Sequence, residues 1–368
     1  MKRKDVVRDL RAALPGWVAA RVVVAATFAF AHWFADRTDP PLWSVRHLQE
    51  GLLGWDAVRY EQIARFGYEA LPQQELRFFP LLPMLARGLG FLFGGHHGVA
   101  LLVISSVSAL AFGALMHRLV LSEANDSAMA RRATWFVALA PAAFVFVWGY
   151  SESLAGALTA AGFLALKKRA WWWVAGIGVF LGLTRPVGLL FMVPVALVAL
   201  REFRIRQLGR MAAALLAPVA GAAMYCAWVW RAFGDPMIPF QIQQQDNFRG
   251  PVISPLGPLA AAIGDAFAGT WQDNVRHLPW IAVAVVLVVV CFKHWPLPYA
   301  AFAAVTVVVA LSADWWGSFE RYVFSTVPIV LAAASASRTK WRERAMLVVG
   351  AAAMGTYNVL ALLGSYVP

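Results

Sequence analysis

Charged residues are scarce in this chain. Asp, Glu, Lys and Arg make up 14% of its 368 residues, whereas hydrophobic residues make up 60%. An ordinary soluble domain carries about 25% charged residues, so this composition excludes a disordered chain, a coiled coil and a conventional soluble enzyme. The only two cysteines, Cys226 and Cys291, lie in apolar runs, which excludes a disulfide framework and a paired-cysteine metal site. The sequence also lacks an Asp-x-Asp pair, a P-loop and a GxGxxG fingerprint, the usual signatures of bound nucleotides.

Long apolar runs are what the sequence has in abundance. Its mean hydropathy is +0.62, and its apolar residues suffice for roughly eleven spans of about 20 residues each. We therefore predict an all-α polytopic membrane protein with about eleven transmembrane helices, outer-face loops and short interfacial helices, forming one domain over residues 1–368. The first apolar run has no clear cleavage site and is interpreted as a retained span, and 80–93 is a shorter interfacial or re-entrant piece. The predicted spans are 14–35, 98–117, 133–149, 152–166, 170–183, 187–200, 211–230, 278–292, 297–313, 322–336 and 345–366.

The distribution of charge predicts the orientation in the membrane. When the N-terminus is placed in the cytoplasm, most Lys and Arg residues fall in short inside loops and most Asp and Glu residues fall outside, as the positive-inside rule requires. The formal net charge of +12 is therefore a topology signal directed at membrane lipid, and no nucleic-acid partner is needed to explain it. Frequent Ala and Arg suggest a bacterial inner or plasma membrane, with the active site on the extracytoplasmic side.

Two predicted outer segments, 36–79 and 231–276, are long. They hold many of the acidic residues together with many Trp, Phe, Gln and Pro residues. Loops longer than about 15 residues are usually functional or disordered, and these are too aromatic to be disordered. We predict that they form the active-site region.

The first outer segment contains a carboxylate in a favourable setting for chemistry. Asp56 begins a predicted helix, and Arg59 and Tyr60 lie three and four residues later, on the same face. A carboxylate beside a cation and an aromatic ring at the membrane surface can accept a proton from a hydroxyl group. The alternative is that Asp56 only caps the helix, because Asp is common at helix starts.

Several motifs, in order along the chain, resemble the GPI mannosyltransferase 2 family and its bacterial relatives. Arg59 and Arg77 depart from the family pattern, in which an aromatic residue or His and an Ala are usual, and they leave the acceptor open. The matching elements are WDAVRYEQIARFGYE followed by RFFPLLPML, Ser151-Glu152-Ser153, Leu183-Thr184-Arg185-Pro186-Val187-Gly188, Gly234-Asp235-Pro236 with Phe240, Gln244 and Arg249, and Glu320-Arg321-Tyr322.

The resemblance implies a GT-C glycosyltransferase, most plausibly a mannosyltransferase. Such an enzyme moves a sugar from a polyprenyl-phosphate donor to an acceptor hydroxyl by an inverting single displacement, with Asp56 as general base. The departing lipid phosphate needs positive charge, for which the candidates are Arg321, ranked first, Arg185, Arg249 and Arg59. The sequence requires no cofactor and leaves metal dependence open, and the acceptor is a glycolipid, a polysaccharide or a protein.

The remaining candidate substrate-binding residues are Tyr60, Glu152 and Gln244. Glu152 lies at the outer end of a predicted hairpin, where a carboxylate is costly. It either binds sugar hydroxyls or pairs with Arg185. Gln244 belongs to a glutamine-rich run that either binds hydroxyls or forms a polar helix surface.

Two other functions fit a chain with many spans and few charges. A transporter or lipid flippase usually places ionisable residues near the bilayer midplane, on broken helices in repeated halves. This sequence concentrates its charges at the predicted outer rim and shows no internal repeat. A non-catalytic scaffold for cell-envelope assembly is the third hypothesis, and under it Asp56 would be dispensable.

Overall fold

The computed structural model describes residues 3–39, 42–245, 248–271 and 273–368. These residues form seventeen α-helices joined by turns and short 3₁₀ segments, and they contain no strand. The prediction of an all-α protein is thus confirmed. The helices are α1 Arg3–Thr38, α2 Leu42–Glu50, α3 Asp56–Phe66, α4 Leu81–Leu92, α5 His97–Ala124, α6 Ser127–Ala138, α7 Glu152–Lys167, α8 Trp171–Thr184, α9 Met192–Arg201, α10 Leu208–Phe233, α11 Ile238–Gln243, α12 Leu256–Phe267, α13 Leu278–His294, α14 Leu297–Leu311, α15 Phe319–Phe324, α16 Val327–Ala336 and α17 Lys340–Leu362.

Within the residues that the structure describes, five helical segments are long and apolar enough to cross a membrane, which indicates an integral membrane protein. Six further apolar helices have only 10–17 residues. A helix of 15 residues is about 22 Å long, which is less than the hydrocarbon thickness of about 30 Å. Eleven spans therefore stay a prediction. The five long segments are Arg3–Thr38, His97–Ala124, Ile205–Phe233, Asn274–His294 and Lys340–Leu362.

The predicted span 133–149 is wrong as a continuous helix. Helix α6 ends at Ala138, and turns with a short 3₁₀ segment at Ala143–Phe146 follow it. Pro141 explains the break, because proline has no amide hydrogen to donate and disfavours helical geometry in the residue before it. The chain after α6 is nevertheless buried, and it carries Tyr150 to the start of α7.

Helices α8 and α10 pack at very close range. A Cβ atom on Gly182 would lie 2.0 Å from the Pro218 carbonyl oxygen, and one on Gly221 would lie 2.1 Å from the Val179 carbonyl oxygen. Small residues allow helix backbones to approach in this way. The contact fixes the end of α8, after which the chain continues into Arg185.

The helix bundle has two ends that can be told apart along α5. At the start of α5, a Cβ atom on Gly98 would lie 2.8 Å from the carboxylate of Glu61 in α3, the helix that begins with Asp56. Nineteen residues later, His117 Nδ1 lies 2.8 Å from Asp9 Oδ1 near the start of α1. Nineteen residues of helix extend about 28 Å, so we name these regions the Asp56 end and the Asp9 end.

Candidate active site

Asp56 is the first residue of α3, and its side chain does not cap that helix. The residue before the helix is Trp55, whose backbone has a positive φ of 56°. The Asp56 amide donates to the Tyr150 hydroxyl at 3.3 Å, and Asp56 Oδ2 accepts a hydrogen bond from Arg321 Nη1 at 2.7 Å. The alternative that Asp56 serves only as a helix cap is therefore wrong.

Arg321 joins the two carboxylates of the site. Besides its bond to Asp56, its Nε lies 3.3 Å from Glu152 Oε1, and its Nη2 donates to the Tyr322 hydroxyl at 3.1 Å. Glu152, the first residue of α7, also pairs with Arg185. Arg321 is only 4% exposed and Glu152 only 3% exposed. Charges buried to this degree are costly unless they are paired, so this network holds its members in fixed places.

Three arginines surround one tyrosine ring. The guanidinium carbons of Arg185, Arg249 and Arg321 lie 5.0, 4.9 and 5.0 Å from the centre of the Tyr322 ring. Arg249 donates to the Ala310 carbonyl oxygen at 2.9 Å, and within the described residues it has no ion-pair partner. Burial lowers the pKa of the Arg249 guanidinium, and the neighbouring charges of Arg321 and Arg185 act in the same direction.

These side chains line a cavity of about 470 Å³ at the Asp56 end. The cavity is lined by charged side chains, by the amides of Gln243 and Gln244, and by a set of apolar residues. Among the apolar residues Val252 is 70% exposed and Val309 is 41% exposed, so the cavity opens along surface that is itself hydrophobic. The apolar residues are Val187, Leu189, Leu190, Val252, Val309 and Ala310.

Most of the residues that the sequence singled out meet at this cavity. Glu152 lies directly behind it, where it lines a smaller cavity of about 50 Å³ together with Arg185 and Tyr322. Tyr60 is buried and its hydroxyl lies 3.1 Å from the Ser151 hydroxyl. The predicted residues that line the larger cavity are Asp56, Tyr60, Arg185, Gln244, Arg249 and Arg321.

Arg59 is the exception. It lines neither of these cavities, although the sequence placed it on the same helix face as Asp56. Its Nη1 lies 3.2 Å from Glu75 Oε1 instead. Glu75 is only 2% exposed, so its carboxylate draws the nearest flexible cation toward itself, and the expectation that Arg59 contacts the substrate loses its structural basis.

Sequence reasoning missed three groups that matter to the electrostatics of the site. Tyr322 forms the centre of the arginine cluster, Tyr150 supports the Asp56 backbone, and Glu75 competes for nearby cations. Burial raises the pKa of the Glu75 carboxyl, and Arg59 and Arg77 only partly offset this effect. Only for Tyr322 did the sequence offer a signal of its place in the site, because it directly follows Arg321. Among the described residues, no three His, Cys, Asp or Glu side chains lie close enough to hold a metal ion.

Comparisons with known proteins give a likeness in fold only. No protein-family model matches the chain, and no curated protein matches it. Two crystal structures of the Archaeoglobus fulgidus oligosaccharyltransferase are similar to it. The structure with Zn and sulfate has 14% sequence identity and a TM-score of 0.43 over 94% of this chain and 53% of the other. The structure tethered to an acceptor peptide has 13% identity and a TM-score of 0.45 over 96% and 55%. This chain thus spans about half the length of the proteins it matches.

Proposed function

We propose that this protein is a membrane glycosyltransferase of the GT-C type that transfers a sugar from a polyprenyl-phosphate carrier to an acceptor hydroxyl. The observation that carries the proposal is one cavity shared by the Asp56 carboxylate, the three arginines of the Tyr322 cluster and an apolar wall. The choice of mannose, and of a polyprenyl monophosphate as donor, rests on the motifs shared with the GPI mannosyltransferase 2 family. The acceptor is a glycolipid, a polysaccharide or a protein.

The reaction is a single displacement at the anomeric carbon. The acceptor oxygen forms a bond to this carbon while the bond from the carbon to the phosphate oxygen breaks, so the configuration inverts. Asp56 takes the proton of the acceptor hydroxyl as general base. Its Oδ2 is bound to Arg321, which leaves Oδ1 for the proton, and its side chain is 25% exposed and thus accessible.

The arginine cluster is suited to the leaving group. A phosphodiester donor carries one negative charge, and the lipid phosphate that departs gains another as the bond breaks. Asp56 pairs with Arg321 and Glu152 pairs with Arg185. Among the described residues no carboxylate pairs with Arg249, and Arg77 also lines the cavity, so positive charge is left for the phosphate. Guanidinium groups bind phosphate oxygens through paired hydrogen bonds, and fixed positive charge in a poorly solvated site stabilises developing negative charge.

The apolar wall is suited to the carrier. Leu189 and Leu190 line the cavity, and Val252 and Val309 are exposed at its edge. A polyprenyl chain that follows this wall stays in contact with hydrocarbon while its phosphate reaches the arginines. Gln243 and Gln244, which also line the cavity, offer amide groups to sugar hydroxyls.

The orientation is part of the proposal. We place the Asp56 end on the extracytoplasmic side and the N-terminus in the cytoplasm of a bacterial inner or plasma membrane, because the loops at the Asp9 end are rich in Lys and Arg. Pairs of the shorter apolar helices would supply further spans, toward the eleven that the sequence predicts.

The decisive test is the Asp56→Asn variant of the purified protein in lipid nanodiscs. It is incubated with polyprenyl-phosphate mannose and envelope lipids, and products are analysed for a mass gain of one hexose. We expect transfer to fall by about 10²- to 10⁴-fold, because the amide cannot accept the proton. Asp265→Asn, at an exposed carboxylate on α12, is the matched control and should retain activity.

Normal transfer by Asp56→Asn would refute the assigned role. Movement of carrier lipid between leaflets without any hexose gain would favour the transporter hypothesis instead.

A further inference from the structure

Glu320 forms a second buried network directly behind Arg321. Its side chain is fully buried, and Oε1 lies 2.7 Å from His277 Nδ1 and 3.2 Å from the Tyr357 hydroxyl. Oε2 accepts a hydrogen bond from the Tyr366 hydroxyl at 3.2 Å. None of these four residues lines the cavity that contains Asp56, so the network has no direct part in the proposed chemistry.

The contacts of His277 indicate which of its ring nitrogens carries the hydrogen. Arg276 Nε, a donor only, lies 3.3 Å from His277 Nε2. His277 Nε2 must therefore accept, which assigns the ring hydrogen to Nδ1 and makes His277 a donor to Glu320. Every group bound to Glu320 thus donates to it, so hydrogen bonds hold both oxygens of this carboxylate in place.

The helix that carries both Glu320 and Arg321 cannot hold its own position. Helix α15 has six residues and begins after Ser318, whose φ is +66°. So short a helix gains little stability from its own hydrogen bonds. Its orientation depends on outside contacts, and the Ser318 hydroxyl donates to the Val367 carbonyl oxygen at 3.1 Å.

A neighbouring loop supplies a further anchor. Asn274 donates to the Asp314 carbonyl oxygen at 2.8 Å and accepts from the Trp316 amide at 2.9 Å. These bonds tie the loop that precedes α13 to the loop that precedes α15. Together with His277, they connect the start of α15 to two other parts of the fold.

We propose that Glu320, with His277, Tyr357 and Tyr366, is a positioning group that fixes Arg321 between Asp56 and Glu152. Adjacent residues of a helix project about 100° apart, so anchoring Glu320 on one side of α15 sets the direction of Arg321 on the other. The kinetic consequence rests on the proposed function, because Arg321 is there assigned to the donor phosphate. The effect on the position of Arg321 does not depend on the proposed function.

The first experiment compares Tyr366→Phe with Tyr299→Phe in the purified protein. Tyr299 is the matched control, because it is also buried and its hydroxyl donates to a carboxylate, Glu123 Oε1, at 3.0 Å, but this pair lies at the Asp9 end. With polyprenyl-phosphate mannose as donor, Tyr366→Phe should raise the donor KM by about tenfold and leave the acceptor KM within about twofold. Tyr299→Phe should leave both constants unchanged.

A rescue experiment separates positioning from packing. His277→Asn keeps a donor near the place of Nδ1, whereas His277→Ala removes it. We expect His277→Asn to recover most of the donor KM that His277→Ala loses. Equal donor KM values for the two variants, or the same donor effect from Tyr299→Phe as from Tyr366→Phe, would overturn the proposal.

A second measurement needs no enzymatic activity. The Asp56→Asn and Arg321→Gln variants form a double-mutant cycle in the thermal unfolding of the protein, and their coupling reports the ion pair between them. We expect this coupling in the wild-type background and less than half of it in the Tyr366→Phe background. Undiminished coupling there would overturn the positioning role. A wild-type protein without transfer activity would count against the proposed function, and the cycle would then decide this inference alone.

Discussion

The two ends of the helix bundle both bury carboxylates among cations, but they do so differently. At the Asp9 end, Asp9 Oδ1 lies 2.8 Å from His117 Nδ1 and Asp9 Oδ2 accepts from Arg118 Nε at 2.6 Å. Two aspartates there, Asp5 and Asp9, face two arginines, Arg8 and Arg118. At the Asp56 end, four arginines, Arg77, Arg185, Arg249 and Arg321, line an open cavity that contains one carboxylate, Asp56. Glu152 lies behind this cavity.

The difference supports the proposed binding site at the Asp56 end. At the Asp9 end the charges balance and each carboxylate oxygen has a side-chain partner. This network is complete without a ligand. Where the described residues leave positive charge in excess beside a cavity, an anion can complete the network. This contrast, more than the presence of buried ions, supports the function proposed for the Asp56 end, since buried ion pairs alone are weak evidence of any role.

The largest contrast is expected from removing the central arginine at each end. Arg321→Gln should lower kcat/KM for sugar transfer by about 10²- to 10³-fold, because the leaving phosphate loses one guanidinium group of the cluster and Asp56 loses the partner that holds it in place. Arg118→Gln should lower the free energy of unfolding by about 1.5–3 kcal/mol, through a lost charged hydrogen bond, and leave kcat/KM unchanged. The measurements are hexose transfer and thermal unfolding of both purified variants. Equal loss of transfer in both would remove the distinction between the two ends.

An intermediate effect is expected from Arg249, for which the described part of the chain contains no carboxylate partner. Arg249→Gln should weaken binding of polyprenyl phosphate by about tenfold or more. It should not lower the melting temperature, because burial disfavours this charge and lowers its pKa. Titration of the lipid phosphate followed by tryptophan fluorescence measures the affinity. Arg231→Gln, at an exposed arginine at the same end, is the control. A stability loss without weaker binding would instead mark Arg249 as structural.

The smallest effect concerns Glu75 and its pH dependence. Burial raises the pKa of the Glu75 carboxyl in the folded state, so the folded protein binds its proton more tightly than the unfolded chain does. Stability therefore falls as the pH rises from about 4.5, the unfolded value, through the raised pKa. Glu75→Gln should be more stable than the wild type at pH 7, and this advantage should vanish as the pH falls below that range.

Melting temperatures recorded between pH 4 and pH 8 check this prediction. Glu69→Gln, at an exposed carboxylate, should show no comparable trend. If the stability advantage of Glu75→Gln over the wild type instead grew toward low pH, the predicted direction of the pH dependence would be wrong.

The sequence predicted those parts of the site whose motifs carry their own chemistry. Asp56 is a carboxylate at a predicted helix start, and Arg321 lies in the Glu320-Arg321-Tyr322 motif, so short stretches of sequence are enough to indicate both residues. In the structure, Arg321 Nη1 lies 2.7 Å from Asp56 Oδ2. The all-α membrane class followed from apolar content, which is a property of the whole chain. Their proposed roles remain to be tested.

The sequence could not predict features that depend on long-range packing. Nothing near Arg59 indicated that Glu75 would fold back and engage it. The Tyr322 cluster joins residues from positions 185, 249 and 321, and no local pattern links these. The predicted span 133–149 was wrong because a hydropathy average does not register Pro141, whereas the helix ends before this proline, at Ala138.

Helix α17 connects to both members of the central ion pair. The Trp55 indole donates to the Ala361 carbonyl oxygen of α17 at 2.9 Å, and Trp55 directly precedes Asp56. Near the same end of α17, Tyr357 donates to Glu320, the neighbour of Arg321. Asp56 and Arg321 are thus both supported from α17, so a displacement of this helix would shift the two side chains together and keep their spacing.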